Sequence, residues 1–308
     1  MKNITELVGV EYPIFQGAMA KISTHELAGA VSEAGGLGII ASGGMTVDEL
    51  RSEIKAVKSM TSKPFAVNLM LMMPNCGDLM DVVIEEGVKI VTTGAGSPKA
   101  FMPKLKEAGI IVIPVVPTVE IAKKMEAIGA DAIVAEGTEA GGHIGEISTF
   151  PLVAAVTKAV NIPVIAAGGI SDARGMIAAF ALGAKGIQMG TAFLASEECP
   201  IAEAYKERIL TSNETSTVVT GRKFRAPVRT IRNQMTDVYL KMEEQDMERD
   251  ELEKLTIGSL RKAVVEGDVD NGSMMAGQII GNIHEIKSVK QMCDEIIDEV
   301  KNTELVIL

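Results

Sequence analysis

At 308 residues, 47% of them apolar and 23% charged, the chain is long enough to bury a large core without disulfides or a structural metal, and too apolar to be disordered or fibrous. A net charge of −11, three tyrosines and no tryptophan argue against generic nucleic-acid binding. The longest apolar stretch is broken by Pro114 and Pro117, the N-terminal MKNITELVG has no apolar secretion core, and Cys76, Cys199 and Cys293 form no CxxC or Cys/His cluster, so a cytoplasmic small-molecule enzyme with no membrane span, disulfide frame or metal site is expected.

Eight short runs rich in Val and Ile follow in chain order: Ile14–Gln16, Gly38–Ala41, Phe65–Asn68, Ile90–Thr93, Ile110–Pro114, Ala132–Ala135, Val164–Ala167 and Gly186–Met189. Their starts lie 20 to 32 residues apart, room for a strand, a helix and two short loops, and too far for hairpins. The intervening segments carry helix punctuation. Ser23 with Glu26 and Thr46 with Glu49 read as capping boxes, Ser97-Pro98 as an N-cap followed by proline, and Gly35, Gly87, Gly109, Gly129 and Gly183 as stops. Eight such units predict an α/β fold, a (β/α)8 TIM barrel, over 1–197.

From Glu198 the period fails, and a helix-prone, charge-rich region predicts a smaller, mostly helical second domain at 198–283, inserted before the last helix and facing the substrate and NAD(P)H. In 284–308, Ile286, Val289, Cys293, Ile296, Ile297 and Val300 recur at helical spacing, as expected of an eighth barrel helix returning to cover the outside.

The site of such a barrel lies at the C-terminal ends of its strands. The residues there are mostly glycine: Gly17-Ala18-Met19, Gly43-Gly44, Asn68, Gly94-Ala95-Gly96, the run from Glu136 to His143, Gly168-Gly169 and Gly190-Thr191. Glycine lets backbone amides approach a bulky ligand, and the pairs after strands seven and eight are where barrels seat a phosphate. No complete Rossmann fingerprint, Walker A, nucleophile elbow or His-Glu-x-x-His sequence is present. His25 and His284 fall at helix starts on the outside. His143, in the glycine-rich loop after strand six, is aimed at the barrel mouth, where an imidazole can hold or move a proton, with Glu136 and Glu139 near it.

Tyr12–Met19, Glu136–Gly145, Pro163–Gly169 and Gln188–Phe193 together resemble the FMN-dependent barrels of the nitronate monooxygenase superfamily, along nearly the whole chain. Val91–Gly96, Ala263–Val269 and Gly272–Gln278 resemble the flavin-type enoyl-[acyl-carrier-protein] reductase II branch, and Glu136 stands where nitronate monooxygenases usually carry glutamine. The resemblance implies a flavin phosphate on Gly168, Gly169, Gly190 and Thr191, the ring over Gly17, Ala18 and Met19, and polar contacts from Asn68, Glu136 and Gln188. Gly94, Gly141 and Gly142 complete the expected cofactor contacts.

It further implies that NADH or NADPH reduces FMN, that the β-carbon of a trans-2-enoyl thioester on acyl carrier protein receives the hydride, and that His143 assists at the thioester or the α-carbon. A monovalent cation and a homodimer also go with that branch. The alternative is nitronate monooxygenase activity, in which the same imidazole acts as a base on a nitroalkane. Outside this core, Arg222, Lys223, Arg225, Arg229 and Arg232 suggest an anion-binding rim for carrier protein or NAD(P)H, with Arg229 its representative, and Met274 and Met275 an adaptable wall for an acyl chain.

Overall fold

The computed structural model describes residues 3–304. After α1 (Ile4–Val8), strands and helices alternate as β1 (Ile14–Gln16), α2 (His25–Glu33), β2 (Gly38–Ala41), α3 (Val47–Met60), β3 (Phe65–Met70), α4 (Cys76–Glu85), β4 (Ile90–Gly94), α5 (Met102–Glu107), β5 (Ile111–Val116), α6 (Val119–Ala127) and β6 (Ile133–Glu136). The short strand β7 (Gly142–His143) precedes α7 (Thr149–Ala159), β8 (Val164–Ala167), α8 (Ala173–Ala181) and β9 (Gly186–Met189).

Eight of these strands pair in parallel in the order β1-β9-β8-β6-β5-β4-β3-β2. A bridge between Phe15 and Leu37 closes the ring: Leu37 N–H donates to Ile14 O (2.9 Å) and Gln16 N–H to Leu37 O (3.0 Å). The period-two alternation of each strand explains the closure. Phe15, Ile39, Ala66, Ile90, Ile113, Val134 and Ile165 fill the barrel, while Val67, Val91, Val112 and Ile133 on the opposite faces pack under the helices. Ile4 and Val8 of α1 join the interior cluster and plug the N-terminal end, leaving only the C-terminal mouth for chemistry.

All five glycines expected to end helices have positive φ, from 67° at Gly87 to 99° at Gly183. The Thr46–Glu49 capping box is present and Ser97 accepts from Lys99 N–H, but the Ser23–Glu26 box is not formed. Thr24 is the cap residue of α2, and the Ser23 hydroxyl instead accepts from Met19 N–H (2.9 Å) and from the buried Gln16 side-chain amide (2.7 Å), so it shapes the loop after β1.

Beyond β9 come α9 (Thr191–Leu194), α10 (Glu203–Leu210), β10 (Thr217–Thr220), β11 (Val228–Ile231), α11 (Gln234–Glu244), α12 (Arg249–Thr256), α13 (Ser259–Val264) and α14 (Val289–Asn302). The inserted segment is therefore mainly helical but also contains an antiparallel hairpin, β10–β11, which was not foreseen. Its side chains do not form a core apart: Tyr205, Ile209, Ile231 and Ala263 share one apolar cluster with Met189 and Phe193 of the barrel. The last helix begins at Val289, capped by Ser288, so Ile286 precedes it. It packs against α8 and α2, the place of an eighth barrel helix. No helix among the described residues is long and apolar enough to cross a membrane.

Candidate active site

At the C-terminal mouth a small cavity is walled by the turns after β1, β6, β8 and β9. It collects Gly17, Ala18 and Met19, Glu136, Gly141, Gly168 and Gly169, and Gln188, Gly190 and Thr191 from the expected set. Asn68 and Gly94 end the neighbouring strands β3 and β4 and lie outside the residues lining that cavity. Asn68 donates from its side-chain amide to Thr92 Oγ1 (2.9 Å), and its side-chain oxygen has no hydrogen-bond partner among the described residues.

The loop after β1 is locked from below. Gln16 is fully buried and spends its side chain on Ser23, on Gly17 O and on Ile39 N–H, while Gly17 N–H donates to Met189 O (2.8 Å). On the opposite wall Gly168 (φ 96°) and Gly169 (φ 71°) are both left-handed, and a Cβ on Gly168 would lie 3.1 Å from Ala140 N and from Gly137 O. Any side chain there would push into the loop after β6. Helix α9 has glycine, Gly190, at its cap position, so no side chain closes its first amides.

Three polar groups complete the cradle. Gln188 is 8% exposed and its side-chain amide has no hydrogen-bond partner among the described residues. Thr191 Oγ1 accepts from Gly277 N–H (2.8 Å) and keeps its own proton free. Among the described residues no counter-charge offsets the burial of Glu136, and desolvation pushes its carboxyl up to about 7. An unspent amide on a mostly buried residue, opening onto glycine-edged walls, fits a flat heterocycle that carries both hydrogen-bonding edges and a phosphate.

Glu139 lines the same cavity but is already committed. Its carboxylate accepts from Thr149 N–H (2.8 Å) and Thr149 Oγ1 (2.8 Å) at the start of α7, which makes it a positioning residue for the loop.

His143 lies on β7, solvent-exposed at the mouth, with burial of its surroundings lowering its pKa from the usual histidine value. In its neutral form the imidazole presents one N–H donor and one acceptor. What holds it is the hairpin of the inserted segment: β7 pairs antiparallel with β11, with His143 opposite Val228 and Gly142 opposite Arg229.

Two of the outlying expectations are corrected. Arg229 is not on a charged rim; it is 6% exposed, donating from Nε to Thr138 O (3.0 Å) and from Nη1 to Thr217 Oγ1 (3.1 Å), so it ties the loop after β6 to β10. Met274 is wholly buried in the shared apolar cluster, its carbonyl taken by Ile231 N–H and Thr230 Oγ1, and it forms no wall. Met275 packs beside β7, its sulfur 3.5 Å from where a Cβ on Gly142 would stand, and is not among the residues that line the cavity.

Gly277 and Ile279, which also line the cavity, were not foreseen. A Cβ on Gly277 would sit 2.5 Å from Glu139 O, and Gln278 N–H donates to that same carbonyl (2.9 Å), so the segment 274–278 is clamped against the loop after β6. The cue was the glycine in Met274-Met275-Ala276-Gly277-Gln278, read for its methionines instead. His25 on the outside is held by Glu53, which accepts from its N–H (2.6 Å) and Nδ1 (2.9 Å), and His284 is exposed.

Comparison with known proteins adds four findings. The family model described as nitronate monooxygenase matches residues 1–299. Among solved structures, FabK from Thermotoga maritima superposes with a TM-score of 0.95 at 50% identity, covering 98% of this chain and 96% of that one. Among characterised sequences, (3aS,4S,5R,7aS)-5-hydroxy-7a-methyl-1-oxo-octahydro-1H-indene-4-carboxyl-CoA dehydrogenase of Mycobacterium tuberculosis is 34% identical over 96% of this chain and 94% of its own length. A probable nitronate monooxygenase of Staphylococcus saprophyticus is 36% identical over 90% and 91%.

Proposed function

Since the chain belongs to the nitronate monooxygenase family of oxidoreductases, we propose that it is the FMN-dependent, NAD(P)H-using enoyl-[acyl-carrier-protein] reductase of that family, acting on trans-2-enoyl thioesters. The observation that carries this reading is half-identity to FabK along the whole chain, with His143 and Glu136 both at the mouth that the shared fold leaves open.

The flavin's phosphate would rest on the amides of Gly168, Gly169 and Gly190 and the Thr191 hydroxyl, and its ring would take hydrogen bonds from Gln188, Glu136 and Asn68. When bound, FMN supplies the two-electron relay between a nicotinamide donor and the β-carbon of the substrate. The loop Gly17–Met19, locked by Gln16 and Ser23, provides a fixed floor for it.

Reduction at the β-carbon builds negative charge on the thioester oxygen and leaves the α-carbon in need of a proton. His143 offers an N–H to that oxygen, and the developing enolate charge favours the imidazolium, so the ring takes a proton from solvent, passes it to the α-carbon and returns to neutral imidazole. The hairpin partner Val228 fixes the backbone of His143 without using its side chain, so the imidazole is free to turn toward substrate. Glu139, spent on Thr149, keeps the loop beneath His143 in place.

The second reading, oxidation of nitronates with dioxygen, is favoured by the family model and by the relative of Staphylococcus saprophyticus. Product analysis separates them. Under argon, NADH and a short trans-2-enoyl thioester should give one saturated thioester per NADH consumed. Absence of saturated product, together with oxygen uptake on an alkyl nitronate in air, supports the second reading.

A further inference from the structure

The fold sorts the basic residues of the inserted hairpin into three groups. Arg229 is buried, and Lys223 and Arg232 are ion-paired to Asp246 and Asp237. Arg222 and Arg225 are left exposed at the turn between β10 and β11, with no side-chain ion pair or hydrogen bond among the described residues.

The turn is built to keep its shape without them. Gly221 has φ 75°, and a Cβ there would fall 2.3 Å from Ala226 O. The Glu243 carboxylate on α11 accepts from Gly221 N–H (3.2 Å) and Lys223 N–H (3.2 Å). Arg225 itself is left-handed at φ 56°, a conformation that a β-carbon disfavours.

This turn adjoins the mouth. Thr220 stands opposite Val228, Val228 opposite His143, and Pro227 O accepts from Ile144 N–H (3.1 Å). Two guanidinium groups with no side-chain ion pair among the described residues thus lie on the turn that leads into Val228, the residue opposite His143, on a chain whose net charge is −11. Planar guanidinium forks match phosphate oxygens in geometry as well as charge.

We propose that Arg222 and Arg225 form an anion seat at the mouth for a phosphate ester that enters with a substrate, either on the pantetheine arm of the thioester or as the pyrophosphate of the nicotinamide donor. The proposal rests on the thioester-reductase reading above for its choice of ligand.

The test uses the flavin-loaded protein and compares it with Arg222→Gln/Arg225→Asn, asparagine being tolerated in the left-handed region. Calorimetry measures binding of butyryl-phosphopantetheine, of phosphate-free butyryl-N-acetylcysteamine, and of NADH under anaerobic conditions. The expected result is that wild type favours the phosphate-bearing thioester. The variant then loses that preference by about tenfold, leaves N-acetylcysteamine binding and the melting temperature unchanged, and reproduces the effect of raising KCl to about 0.5 M.

A selective loss of NADH affinity of the same size, with the thioester preference intact, also supports the seat and assigns it to the pyrophosphate. Unchanged binding of both phosphate-bearing ligands overturns it. A wild-type protein that binds neither thioester contradicts the functional reading instead, and the NADH comparison then decides the seat alone.

Discussion

His143 stands opposite Val228, so the one imidazole at the barrel mouth is anchored by a strand from the inserted segment. Barrel and insertion thus build the site jointly, through one three-stranded sheet of β10, β11 and β7.

Removal of the imidazole should separate the two half-reactions. His143→Gln keeps the β7 pairing, which uses only backbone, and should retain flavin and its bleaching by NADH. Reoxidation by an enoyl thioester should slow by about 10²- to 10⁴-fold in stopped-flow absorbance. An unchanged rate removes His143 from the mechanism.

Glu136 makes a pH-dependent cost of folding. Its carboxyl titrates near 7 in the folded chain and lower when unfolded, so between about 4.5 and 7 the folded state holds the extra proton. Stability of the flavin-free protein should then fall as pH rises through that window and level off above it, by at most roughly 3 kcal/mol. Urea titrations across pH should show this slope in wild type and not in Glu136→Gln.

Arg229→Ala should act on stability and not on the affinity for one substrate. It leaves Thr138 O and Thr217 Oγ1 without their buried donor, a loss of about 2 to 3 kcal/mol readable in the urea midpoint. A variant of unchanged stability with a raised KM for NADH alone would restore Arg229 to the rim.

Gly277→Ala should weaken flavin binding although Gly277 lies far along the chain from the phosphate glycines. The new methyl meets backbone on every side, Glu139 O at 2.5 Å and Gly141 N at 3.2 Å, so the loop after β6 must move. We expect a rise of about tenfold or more in the flavin Kd, measured by fluorescence quenching, with the barrel still folded by circular dichroism.

The barrel was legible in the sequence because its strands alternate apolar faces and its helices stop at left-handed glycines, both local signals. The glycine-edged cavity was legible for the same reason: Gly168, Gly169, Gly190 and Thr191, which line it, directly follow strands. Long-range pairing had no local signal. The sequence of β11, Val228-Arg229-Thr230-Ile231, carries an arginine that reads as surface charge, and only its partner strands show that Arg229 is buried while Arg222 and Arg225 are free. Ser23 fits a capping pattern equally well whether it caps α2 or serves the loop before it; the buried amide of Gln16 decides between them.

An anaerobic titration of the flavin-loaded protein with NADH, followed by a short trans-2-enoyl thioester, tests the central claim most directly. The account predicts that NADH bleaches the oxidised-flavin absorbance and that the thioester restores it. Flavin that stays oxidised with NADH but is bleached by a nitronate would contradict the reductase and support the nitronate monooxygenase reading instead.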